Sequence, residues 1–286
     1  MSAENSIDVD GIECFDRDIR TLGREELAPH FASKSSGRIL LAHLIKSVIW
    51  QAYERIKAGT EPTVQGNLRT FWYQWVKPVL SHIPDDDHAA TDPYDLMLRA
   101  FVEMVLEQKL FRYADFDFTD ENWENRRIGG SKPGVLVFAE KRGWIRFLVK
   151  LYEELGVSVL ALGGAPSALT SEYTAYYIGK ELGWGEEVKL IGIVDYDPSG
   201  DMIAGSFREQ LGAVGLASSG LSSLIHPRHY SQGELDVFKY PLPERQVTKT
   251  ARWLEKTGGI EGKAYGLESE SMPRQRLRGL IEELVL

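Results

Sequence analysis

Apolar positions change their spacing along this chain, and the change separates two kinds of structure. Over residues 37–58, Leu40, Leu41, Leu44, Ile45, Val48 and Ile49 recur three and four apart, which predicts a helix with one buried face. A turn at Thr60-Glu61-Pro62 leads to a second helix from about Asn67. Its apolar arc is Leu68, Phe71, Trp72, Trp75 and Val76, and Pro78 is expected to end or kink it. After a polar loop over 83–92, a third helix is expected over 93–108, with Leu96, Met97, Ala100, Phe101 and Met104 inward. Residues 110–118 (LFRYADFDF) then alternate, as a strand or wing would.

Residues 126–134 (RRIGGSKPG) are rich in Gly and basic residues and read as a domain boundary. Beyond them, short continuous apolar runs at 135–139, 157–162 and 189–194 alternate with helical periodicity at 143–155, 167–182 and 202–211. Runs of that length suit strands buried on both faces, and their alternation with helices predicts a parallel α/β sheet. Two late helices are expected, over about 244–256 and 270–285. The expected organisation is therefore an acid-rich arm over 1–34, a mostly helical, winged-helix-like domain over 35–128, and a parallel-sheet α/β domain over 134–286.

Composition alters this picture little. The 286 residues are 43% hydrophobic and 26% charged, ordinary values for a globular chain. No apolar run is long enough to span a bilayer, and the acidic start (Glu4, Asp8, Asp10, Glu13) lacks the basic and apolar parts of a signal peptide, so a cytoplasmic location is expected. The single cysteine, Cys14, excludes an internal disulfide and a multi-cysteine zinc site. A net charge of -9 argues against nonspecific coating of nucleic acid, although local basic strips can still contact it. The candidate strip is Arg126, Arg127, Lys132, Lys141, Arg142 and Arg146, and an ordinary solvated surface would look the same.

The chemistry concentrates at the strand ends. Glu140 directly follows the first apolar run, and Asp195 and Asp197 directly follow the third. Ligands collect at the carboxyl ends of parallel strands, and two acids two residues apart in extended chain face the same way. Three carboxylates on one rim repel unless a cation lies among them, and a hard ion such as Mg²⁺ suits oxygen donors, water and phosphate. Each acid alone could equally be a helix cap. In the second helix, at a hundred degrees per residue, Arg69, Tyr73 and Lys77 fall one turn apart at the edge of the apolar arc. That would place a phenol beside two cations, although Tyr73 could equally pack as another core aromatic. His226 and His229 flank Pro227 and suit a loop better than a metal site. Arg274, Arg276 and Arg278 fit the outer face of the last helix.

The segments VLVFAEKRGW (135–144), LALGGAPSA (160–168) and IGIVDYDPSGDMIAG (191–205) resemble the Toprim domain of topoisomerase VI A subunits and the related meiotic double-strand-break proteins. The shared features are a strand ending in Glu140, the Gly164-Ala165-Pro166 turn, and Asp195-x-Asp197-Pro198-x-Gly200. NLRTFWYQWVKP (67–78) resembles the family's Arg-acid-x-aromatic-Tyr pattern, with Thr70 in place of the acid. The resemblance implies a homodimeric type IIB topoisomerase A-like protein, with Mg²⁺ at Glu140, Asp195 and Asp197. Tyr73, assisted by Arg69, would attack double-stranded DNA to give a 5′-phosphotyrosyl link, with Lys77, Lys141 and Arg142 against the DNA. The chain carries no phosphate-cradling ATP motif, so strand passage would need a separate ATPase subunit. A metal-dependent nuclease without a covalent step, or a catalytically silent DNA-binding module, are the alternatives.

Overall fold

The segment expected to be an irregular arm contains a helix, α1 (Arg24–Phe31), with Leu27 and Phe31 buried. Glu26 caps its start by accepting from the Gly23 N–H at 3.0 Å. Only two of its positions face a core, so no stripe announced it. The structure, a computed structural model, describes residues 11–84, 91–183, 185–243 and 247–285. Glu4, Asp8 and Asp10 of the expected arm, and positions 85–90 of the expected polar loop, lie outside these. The chain divides into two units, Met1–Asp120 and Glu121–Leu286.

In the first unit the 37–58 stripe forms α2 (Leu41–Lys57), which buries Leu41, Leu44, Ile45, Val48 and Ile49. Gln51 on this helix accepts from the Ile19 N–H at 2.8 Å and donates to the Phe15 and Arg17 carbonyls, which fastens the preceding segment. The second expected helix begins as α3 (Leu68–Phe71), capped by the Asn67 side chain on the Thr70 N–H at 3.0 Å. It does not stop at Pro78. A π-helical turn, Trp72–Val76, carries it into α4 (Lys77–Leu80), with the Lys77 N–H bonding the Trp72 carbonyl. Proline lacks an N–H and its ring crowds the carbonyl four residues back, and a widened turn lets the helix pass. The third helix is α5 (Pro93–Val102), continued by a second π turn, Glu103–Glu107.

Residues 110–118 are not a strand or wing. They hold a 3-10 turn, Tyr113–Phe116, and one isolated bridge from Phe118 to Gly66. Phe111, Tyr113, Phe116 and Phe118 are all buried, and Phe71 and Phe101 pack edge-on against Phe116 and Phe118. A tight turn brings positions three apart onto one side, so alternating aromatics reach the core without a strand.

The three apolar runs of the second unit are the inner strands of one sheet: β2 (Lys132–Ala139), β3 (Val157–Ala161) and β4 (Val188–Ile193). The basic 126–134 segment is part of this unit. Its β1 (Arg126–Arg127) pairs antiparallel with β3, and Arg126 is buried. A fifth strand, β5 (Ser218–Ser223), pairs parallel with β4, giving the order β1-β3-β2-β4-β5. Core side chains alternate along β2. Val137 and Ala139 face α6 (Ile145–Leu155), α10 (Val247–Thr257) and α11 (Arg274–Val285), through Leu148, Trp253 and Leu277. Leu136 and Phe138 face α7 (Ala168–Leu182) and α8 (Pro198–Ala213), through Ile178 and Phe207. Both faces are covered, which is why the inner strands read as unbroken apolar runs. A further helix, α9 (Gln232–Phe238), follows β5. Among the described residues no helix is long and apolar enough to cross a membrane.

Candidate metal centre

The chain leaves β2 through α6 to reach β3, then returns through α7 to β4 on the other side of β2. The connections therefore diverge between β2 and β4, the place in such a sheet where ligands collect beyond the carboxyl ends of the strands. Glu140 ends β2, its N–H bonded to the Ile193 carbonyl of β4 at 3.1 Å. Asp195 stands just past β4, with its N–H 3.5 Å from Glu140 Oε2. The Gly164 N–H bonds the Glu140 carbonyl at 2.9 Å, so the turn after β3 is tied to the same rim.

The Asp195–Gly200 motif is built as a strand-to-helix turn. Asp197 Oδ1 accepts from the Gly200 N–H at 2.7 Å and caps α8, with Pro198 at the first helical position. Gly200 is required because a Cβ there would lie 2.1 Å from the Asp195 carbonyl oxygen. Asp197 Oδ2 accepts from the Tyr240 hydroxyl at 3.0 Å. Burial, followed by the adjacent Asp197 charge, raises the Tyr240 pKa and keeps the phenol a donor. Between the two acids, Tyr196 turns inward against Trp253.

A distant segment completes the rim. Tyr196 and Leu267 exchange backbone hydrogen bonds of 2.9 and 3.2 Å, which lays residues 267–271 along the strand ends. The Ser269 N–H donates to Asp195 Oδ1 at 2.7 Å. Asp195, Glu268 and Glu270 thereby bring one carboxylate oxygen each within 4.8 Å of one another. Lys141, next to Glu140, extends its ammonium into this trio. It lies 3.0 Å from Asp195 and 2.6 Å from Glu270, and also bonds Glu268. Burial alone would lower the Lys141 pKa, but the three carboxylates together raise it. The Glu140 pKa is raised chiefly by burial, then by the Asp195 and Asp197 charges.

The expected site residues thus divide. Glu140, Asp195 and Asp197 share one rim, but Asp197 is engaged as a helix cap, and among the described residues the trio able to converge on an ion is Asp195, Glu268 and Glu270. Lys141, expected against DNA, is bonded to acids. Arg142 is exposed, crosses Gly163 where a Cβ would meet its Nε at 2.4 Å, and donates to Asn122 at 3.3 Å. In the first unit Tyr73 is 51% exposed on the π turn, with Lys77 Nζ 4.9 Å from its ring centroid. Arg69 instead lies over Tyr94, at 5.7 Å. Glu268 and Glu270 are not among the expected ligands, although their acid-x-acid spacing repeats that of Asp195 and Asp197.

His226 and His229 bond within their own loop, His229 Nδ1 to the Leu224 carbonyl and its Nε2 to Arg228. Arg276 and Arg278 pair with Glu234 and with Glu154 and Glu282, while Arg274 covers Trp144. A cavity of about 650 Å³ opens beside Asp195 and Asp197, with Arg208, Arg228 and Lys256 in its wall. An all-oxygen donor set, one member nearly buried, suits a hard divalent cation, and a cationic group already seated among the acids shows that they favour positive charge. No family model matches the chain, and no curated protein matches it significantly.

Proposed function

We propose that the second unit is a Toprim-type Mg²⁺ centre and that the chain cleaves and rejoins duplex DNA in the manner of a type IIB topoisomerase A subunit. The observation that carries this reading is the convergence of acids at the switch point between β2 and β4, where Asp195 meets Glu268 and Glu270 beside Glu140. Asp195, Glu268 and Glu270 would hold the ion, with Glu140 adjoining. When bound, the ion supplies charge stabilisation to the scissile phosphate and the leaving 3′-oxygen.

The nucleophile in this reading is Tyr73, whose exposure leaves its phenol free to meet a phosphodiester. Its oxygen bonds to phosphorus as the bond from phosphorus to the 3′-oxygen breaks, and the phenolic proton passes to that oxygen. The phosphate stays on the tyrosine, so attack by the 3′-hydroxyl reverses the step and reseals the strand. Lys77, over the ring, favours the developing phenolate charge. π turns recur at functional sites, which also suits a reactive side chain there. The same resemblance extends the proposal to a homodimer, each tyrosine working with the other protomer's centre, and to a separate ATPase subunit for strand passage.

A hydrolytic nuclease is the second reading, favoured by the placement of Arg69 over Tyr94 and away from the Tyr73 phenol. Supercoiled DNA incubated with Mg²⁺ and wild type, Tyr73→Phe or Asp195→Ala, then treated with detergent and protease, separates the two. Protein-linked 5′ ends that vanish in Tyr73→Phe support transesterification. Free ends that persist in Tyr73→Phe and need Asp195 support hydrolysis. DNA binding without breakage contradicts both and supports a silent module.

A further inference from the structure

The centre holds a cation of its own. Lys141 is the residue after Glu140, on the loop between β2 and α6, and its ammonium contacts all three carboxylates that converge across the rim. Those acids come from two separate segments, Asp195 from the end of β4 and Glu268 and Glu270 from the stretch paired with Tyr196. An ammonium satisfies them only while no other cation takes their oxygens, because a hard divalent ion needs the same lone pairs. Glu268 and Glu270 are themselves more than half exposed, so they can release the lysine without opening the core. Asp195 is held separately, by the Ser269 N–H on its other oxygen.

We propose that Lys141 is the resident counter-ion of the metal-free centre and competes directly with the divalent cation, so that metal loading releases its ammonium to the substrate side. This rests on reading the centre as a metal site, and adds a regulation of that site. The released ammonium lies on the loop that, with Arg142, Gly163 and Gly164, borders an open depression beside Glu140. There it can meet a phosphate as a point charge. Lys141 thus links the two ligands: the metal frees the group that contacts the phosphate, and a phosphate that holds the ammonium favours the metal in return.

Population arithmetic sets the size of the effect. If the ammonium occupies the acids about nine-tenths of the time, the apparent metal affinity is about tenfold below that of the freed site. Mg²⁺ binding to the full-length protein is measured calorimetrically for wild type, Lys141→Met and Arg146→Met. The last variant removes the same charge from an exposed position on α6. We expect Lys141→Met to bind about tenfold more tightly, and Arg146→Met to change less than about twofold. We also expect Lys141→Met to melt at a lower temperature without ion and to recover when Mg²⁺ is added.

A measurement on wild type alone avoids any folding defect of the variant. Acetylation of Lys141, followed by mass spectrometry, should rise on adding Mg²⁺ as the amine leaves the acids. Equal or weaker binding by Lys141→Met, an equal gain in Arg146→Met, or acetylation unchanged by Mg²⁺ overturns the competition and leaves the metal centre standing. Absence of Mg²⁺ binding by both wild type and Lys141→Met overturns the centre and the competition together.

Discussion

The Ser269 N–H donates to Asp195 Oδ1 at 2.7 Å, and this bond joins the end of a central strand to a segment 74 residues away. Through it Glu268 and Glu270 reach an acid that β4 alone would leave with only its own neighbours. If these acids hold the ion, Glu268→Gln and Glu270→Gln should each weaken Mg²⁺ binding by about tenfold or more, and Asp195→Asn should abolish it. Calorimetric titration checks each. Unchanged affinity in both glutamine variants would remove the 267–271 segment from the centre.

Gly200→Ala should be among the most damaging single-methyl changes in the second unit. The added Cβ would lie 2.1 Å from the Asp195 backbone oxygen, and backbone cannot swing aside as a flexible side chain can. We expect a loss of about 1–3 kcal/mol in urea denaturation, with weakened metal binding because Asp195 itself must shift.

Asp197 separates capping from metal binding. Asp197→Ala removes the acceptor for the Gly200 N–H and for the Tyr240 hydroxyl, and should cost about 1 kcal/mol or somewhat more. Asp197→Asn keeps a capping oxygen and should restore most of that stability. A large fall in Mg²⁺ affinity in the asparagine variant, at near-normal stability, would make Asp197 a ligand as well as a cap.

The acid limb of stability should depend on Glu234. The Arg276 guanidinium, aided by the Ser231 N–H, holds the Glu234 pKa at about 2 against an ordinary 4.5. An unfolded chain takes up this proton near 4.5 while the folded chain resists it until about 2, so the contribution is whole above that window and is lost as pH falls through it. Arg276→Met should flatten this part of the melting-temperature profile between those pH values. A profile parallel to wild type would show that the pair does not link α9 to α11 energetically.

How much of this could be read from the chain follows from what each element buries. β2, β3 and β4 are covered on both faces and announced themselves as apolar runs, whereas β5 is an edge strand of sequence SSGLSS with no such run. Alternation at 110–118 predicts a strand or wing, but the segment folds around a 3-10 turn at Tyr113–Phe116 and buries Phe111, Tyr113, Phe116 and Phe118. The Asp195–Gly200 turn was legible because cap, proline and glycine are all local. Glu268 and Glu270 were not, since their placement depends on the pairing of Tyr196 with Leu267, which no local pattern encodes. Two of the three acids that Lys141 contacts, Glu268 and Glu270, were hidden for the same reason.

The most direct test of covalent DNA cleavage by this chain is the chemical state of Tyr73 after reaction. The Mg²⁺-supported reaction is stopped with detergent, the DNA is digested away, and the peptide spanning 70–77 is weighed by mass spectrometry. A nucleotide phosphate joined to Tyr73 in wild type, and missing from Asp195→Ala, is the expected result. Broken DNA with Tyr73 unmodified would contradict it.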